Sequence, residues 1–156
     1  MRAALVAVAV VVAAPATAAP LVLGPAGLAL DDGWAAVAVD GQATATHGDA
    51  RLALVRYDVP NLEAWRERTR AAHVEAIVAG LAAAPGAKVL TRATSRTGVA
   101  AVPTVDVVLR RRGPAGDEVV AVRALLFRTT TIIVLAASPA DRPLVEAAAR
   151  ALVPAS

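Results

Sequence analysis

From Leu62 to Ala83 the sequence carries no proline and a single glycine, while pairs such as Asp32-Gly33, Gly48-Asp49 and Pro85-Gly86 punctuate the chain on both sides. A run of that length without breakers predicts one long helix, and little else in the chain can form one. Asn61 is placed to cap it, Glu63 and Glu67 suit its positive end, and Pro85-Gly86 ends it. Leu62, Trp65, Thr69, Ala72, Ala76 and Gly80 fall on one stripe with Ile77 and Leu81 beside it, and Arg66, Glu67 and Arg70 face elsewhere. The stripe is expected to lie on a sheet.

The segments around this helix read as strands. Leu28–Leu30 and Trp34–Val39 flank Asp31-Asp32-Gly33, whose Asp-Gly pair suits a hairpin. Asp40-Gly41 repeats the turn signal, and Gln42–His47 and Arg51–Tyr57 follow, with Leu52 and Leu54 on one face and Ala53, Val55 and Tyr57 on the other. Lys88–Ser95, Thr104–Arg112, Glu118–Phe127 and Thr130–Ala137 carry β-branched residues between glycine turns. Arg128-Thr129 lacks a hairpin glycine, so the last two segments read either as paired strands or as one long bent strand. Pro143–Val153 forms a second helix, capped by Ser138 or Asp141, with Leu144, Val145, Ala148, Ala149 and Leu152 as its apolar stripe. The order β-β-β-α-β-β-β-β-α with short turns implies an α+β domain: an antiparallel sheet of about six or seven strands packed by two helices.

The N-terminus reads as a targeting segment. Met1 and Arg2 precede the 12-residue apolar stretch Ala3–Ala14, and small residues follow up to Ala19, which is the pattern of a cleaved secretory signal peptide. An uncleaved anchor is the alternative, since no charge occurs from Ala3 to Leu30. Pro15, Pro20 and Pro25 oppose it, and the stretch is shorter than the roughly 20 apolar residues a spanning helix needs. The expected organisation is a signal peptide at 1–19, a short leader at 20–26 and one α+β domain at 27–153, exported to the periplasm or secreted, with no stable membrane insertion after cleavage.

Composition excludes several functions. The chain has no Cys, so disulfide scaffolds, Cys-ligated zinc and thiol catalysis are out. Four aromatic residues (Trp34, Tyr57, Trp65 and Phe127) are too few for a base-stacking surface. The formal charge is only +3, with Arg spread along the chain beside Asp and Glu, so no nucleic-acid partner is expected. Arg110, Arg111 and Arg112 form the one cluster; they run into a Gly-Pro turn and read as a solvated strand end, with an anionic contact site as the alternative.

No catalytic or metal-binding constellation emerges. His73 and Glu75 diverge on a helix, and His47 with Asp49 reads as a polar turn. Ser95, Ser138 and Ser156 have no nucleophile elbow around them, and Asp31-Asp32 sits in a turn that favours Asp locally. Asp106 and Arg123 each interrupt an apolar strand, and would pair across the sheet if those strands are neighbours; the alternative is that both face solvent.

The early Asp32-Gly33-Trp34, the helix from Leu62, Thr97-Gly98 through Leu109, the closing strand Ile132–Leu135 and Ala137-Ser138-Pro139 before a helix ending at Leu152 resemble the Mog1/PsbP-like fold and its small exported bacterial members. Cystatin-like and NTF2-like cones place their helix before most strands and fit less well. The resemblance implies a binding or assembly role without enzymatic activity or cofactor. The partner would be a protein or an apolar small ligand held near Trp34, Trp65, Asp106 or Arg123, and the Ala-rich helix is compatible with self-association. An envelope hydrolase of unrecognised type and a structural envelope protein remain as other readings.

Overall fold

The computed structural model describes residues 21–39, 42–58 and 67–155. The signal segment 1–19, the Asp40-Gly41 turn, the Asn61 cap and Trp65 lie outside the described residues.

Seven antiparallel strands form the main sheet: β3 (Ala35–Val39), β4 (Gln42–His47), β5 (Ala50–Asp58), β6 (Lys88–Thr97), β7 (Val102–Gly113), β8 (Gly116–Leu126) and β9 (Thr130–Ser138), in the spatial order β3-β4-β5-β9-β8-β7-β6. Helix α1 (Glu67–Ala82) connects β5 to β6, and α2 (Arg142–Arg150) follows β9. The last two strand segments are a true hairpin, with Leu126 opposite Thr131, and β9 also pairs with β5. The hairpin forms without a turn glycine because β9 is held from both sides. At the β7–β8 turn, by contrast, Gly113 pairs with Gly116 around two residues, and Gly116 takes a φ of 122° that a side chain would resist.

Two departures from the sequence reading concern the N-terminal part. Residues 21–26, expected as a leader, contribute β1 (Leu21–Leu23) and the start of β2 (Ala26–Leu28), which join β10 (Leu152–Pro154) in a three-stranded sheet. Ala26 and Leu28 are buried in the core, so this hairpin is held by apolar burial. The Asp31-Asp32-Gly33 turn forms, with the Trp34 amide donating to the Asp31 carbonyl at 3.1 Å, but it does not make a hairpin. It passes the chain from the small sheet to β3, because the two flanking strands find different partners.

The core lies on both faces of the main sheet. On one face, Leu52, Leu54, Ile132, Val134 and Leu125 pack with Val145, Ala148 and Ala149 of α2 and with Leu28 and Leu152 of the small sheet. On the other, Val105, Val107, Leu109, Val120, Val122 and Ile133 pack under Val74 and Val78 of α1. Being covered on both sides, β8 and β9 are apolar almost throughout instead of alternating.

The face that α1 presents differs from the expected stripe. Arg70, Val74 and Val78 are buried, with Ala71, Ile77 and Leu81 partly so, whereas Thr69, Ala72, Ala76 and Gly80 are exposed. Val74, Ile77, Val78 and Leu81 follow the helical repeat and offer far more apolar area than the alanine stripe, so they set the rotation of the helix and draw Arg70 inward. Helix α2 matches its expected stripe but stops at Arg150, and Leu152–Pro154 leave it as β10. Its cap is Asp141, which accepts from the Leu144 amide at 3.0 Å, while the Ser138 hydroxyl accepts from the Asp141 amide at 3.1 Å.

Candidate functional site

Asp106 on β7 and Arg123 on β8 stand directly opposite each other on the α2 face. Arg123 donates from Nε to Asp106 Oδ1 at 2.7 Å and from Nη2 to Oδ2 at 3.2 Å, a two-pronged pair with side-chain exposures of 12% and 31%. The strands are neighbours, so the two residues pair across the sheet as that condition required. Nη1 of Arg123 also donates to the carbonyls of Arg150 and Leu152 at 3.2 and 3.3 Å. One guanidinium therefore ties the sheet to the last carbonyl of α2, at a helix end where a cation is favoured, and to the first carbonyl of β10.

Beside this pair, a crevice of about 240 Å³ opens between α2 and the β6–β7 edge. Thr91, Ala93, Asp106 and Val108 form its sheet side; Glu146, Ala149 and Arg150 form its helix side. Glu146 accepts from Arg142 at 2.7 Å and from Arg150 at 3.1 Å, so the carboxylates at this site are matched by arginines. On the opposite face a wider groove of about 370 Å³ runs between α1 and the same edge, lined by Ala71, Thr94, Arg96, Pro103, Val105 and Leu126. Arg92 pairs with Glu75 beside it and ties β6 to α1. Thr104 donates to the Thr97 hydroxyl at 2.8 Å or to the Val102 carbonyl at 3.0 Å, which fixes the strand end.

Trp34 differs from these, and Trp65 lies outside the described residues. Trp34 is buried, beside Leu144, Ala147, Ala148 and Ala151 around a cavity of only about 40 Å³, and its ring meets His47 edge-on at 5.6 Å. Gly33 lies so close to His47 that an added Cβ would overlap the imidazole. His47 and Asp49 face Ser138 and Asp141 across a third crevice of about 240 Å³. Among the described residues, no three His, Asp or Glu side chains come together as metal ligands do.

Sequence reasoning missed Glu118. It is buried at the end of β8 on the α1 face, where Arg51 reaches it at 2.8 Å from β5 and Arg111 at 2.8 Å from β7. The signal was present in the Gly113–Gly116 turn: a two-residue loop sets Arg111 opposite Glu118 and Arg112 opposite Asp117. The arginine cluster is thereby divided between the two faces, with Arg111 turned inward and Arg110 and Arg112 left on the α2 face. Elsewhere, Asp58 is held below the usual carboxylate value by the Arg56 guanidinium, which donates to it at 2.6 Å, and by the Thr130 hydroxyl.

No family model matches the chain, and no curated protein does. Among solved structures, the solution structure of cyanobacterial PsbP (CyanoP) from Synechocystis sp. PCC 6803 is similar over 84% of this chain and 87% of that one, with a TM-score of 0.56 and 13% identity. The chain thus has a PsbP-like α+β fold, in agreement with the resemblance read from the sequence. Among the described residues, no helix is long and apolar enough to cross a membrane.

Proposed function

We propose that this chain is a small exported binding or assembly module without enzymatic activity, and that it holds its partner at the β6 edge of the main sheet. The observation that carries the reading is the pair of openings at that edge, about 370 Å³ on the α1 face and about 240 Å³ on the α2 face. Helix α1 lies over β7 and β8, and α2 lies over β8 and β9, so β6 projects beyond both helices. A protein segment or an apolar ligand can be held there between a helix and a strand, with Asp106, Arg123 and their neighbours giving one opening a rigid polar wall. The PsbP-like fold supports the reading, and the Met1–Ala19 segment supports export.

Native mass spectrometry of the chain recovered from its host's envelope or medium tests this. The expected result is a mass lacking residues 1–19, accompanied by a species carrying a bound partner. Retention of the N-terminal segment contradicts export, and a bare monomer that stays bare after mild cross-linking in the host contradicts the binding role.

A further inference from the structure

Lys88 on β6 stands directly opposite Arg110 on β7, with both side chains exposed on the α2 face. Like charges facing each other across a ladder repel, and sheets ordinarily avoid the arrangement or neutralise it with a carboxylate. Neither residue has a carboxylate within 4.0 Å among the described residues. Arg112, two residues on and on the same face, has Asp117 at 3.9 Å, with both side chains about three-quarters exposed. The carboxylates that line the adjacent crevice are engaged: Asp106 by Arg123, and Glu146 by Arg142 and Arg150. Lys88 and Arg110 therefore lie just beyond the crevice, whose floor includes Val108, two residues before Arg110, and Arg112 stands two residues further along the same face.

We propose that Lys88, Arg110 and Arg112 form a docking site for an acidic segment of a partner protein. This deepens the reading above and rests on it. Charge complementarity defines the occupant, since carboxylates between Lys88 and Arg110 would relieve a repulsion that the free protein leaves standing. The position favours an extended segment, because among the described residues β6 ends the sheet and its outer row of backbone groups has no neighbouring strand beside the patch. A lipid surface fits less well: three cations fall short of the roughly four to eight that mark anionic-lipid recognition. A second copy of this chain would set cation against cation at the same edge.

The test measures binding of a fluorescein-labelled ten-residue peptide of alternating glutamate and threonine to the full mature chain. Expected are saturable binding that weakens as salt is raised, at least tenfold loss in the K88E/R110E double variant, and no change in R128E, whose arginine lies at the opposite end of the strands. The single variant K88E, which sets opposite charges across the ladder, is expected to melt no lower than the parent chain while binding the peptide more weakly. Equal losses in K88E/R110E and R128E overturn the proposal. So does binding to phosphatidylglycerol vesicles but not to the peptide. If K88E/R110E recovered from the host still carries its partner in native mass spectrometry, the patch is refuted while the binding-module reading stands.

Discussion

Arg123 reaches Asp106 across the β7–β8 ladder at 2.7 Å and, through its other nitrogen, the Leu152 carbonyl at 3.3 Å. One side chain thus couples three elements, and its two jobs separate by mutation. Arg123→Ala is expected to destabilise the fold by about 1–3 kcal/mol, since it strands a half-buried carboxylate and frees two carbonyls. Asp106→Ala leaves the carbonyl contacts in place. Hydrogen exchange should therefore show loosening at the end of α2 and in β10 for Arg123→Ala and much less for Asp106→Ala; equal loosening in both contradicts the coupling.

Glu118 holds Arg51 and Arg111 from a side chain that is only 4% exposed. Glu118→Ala leaves the largely covered Arg111 without its carboxylate while Arg51, 45% exposed, can turn to solvent, and an expected cost of about 1–3 kcal/mol should appear in chemical denaturation. Gly113 packs against the same carboxylate, where an added Cβ would overlap it. Gly113→Ala is therefore destabilising alone, yet combined with Glu118→Ala it should cost clearly less than the two single changes together. Simple additivity would show that the carboxylate is not what restricts position 113.

The rotation of α1 is tested by paired substitutions. Val74→Ala removes buried methyl groups under the helix and should cost about 1–3 kcal/mol, whereas Ala76→Ser, on the exposed side, should stay within about 0.5 kcal/mol of the parent. The reverse ranking in thermal or denaturant unfolding would place the alanine stripe against the sheet.

The lowered pKa of Asp58 makes a small contribution to stability depend on pH. Because folding depresses the pKa, the contribution is present above the usual carboxylate value of 3.8 and is lost as pH falls through the folded value. Arg56→Ala removes the main cause, so an NMR titration of the Asp58 carboxyl should move up toward 3.8. An unchanged titration would assign the shift to Thr130.

Much of this architecture was legible because it follows from local chemistry. The long breaker-free run, the glycine turns at 48 and 113–116, and the Asp141 cap each act within a few residues. The pairing of Asp106 with Arg123 was only one of two readings, since two charges interrupting apolar strands can pair or face solvent, and the β7–β8 register decides between them. What the sequence concealed depends on distant partners. Leu21–Leu23 become a strand only because β2 and β10 are there to continue the sheet, and Leu152–Pro154 lie at the far end of the chain. The inward turn of Arg70 follows from valines competing with alanines for one sheet face, which helical periodicity alone does not rank. Glu118 needed the register of the β7–β8 turn to meet Arg111 and the β5–β9 pairing to meet Arg51.

Site-specific photo-crosslinking in the native host tests whether partners bind at the β6 edge. A crosslinking amino acid at Thr94 faces the groove under α1, one at Ala93 faces the crevice beside α2, and one at Val22, 68% exposed on the small sheet, serves as the control. Binding at the β6 edge predicts a discrete adduct from Thr94 or Ala93 and none from Val22. Adducts from Val22 alone, or from all three positions alike, would contradict it.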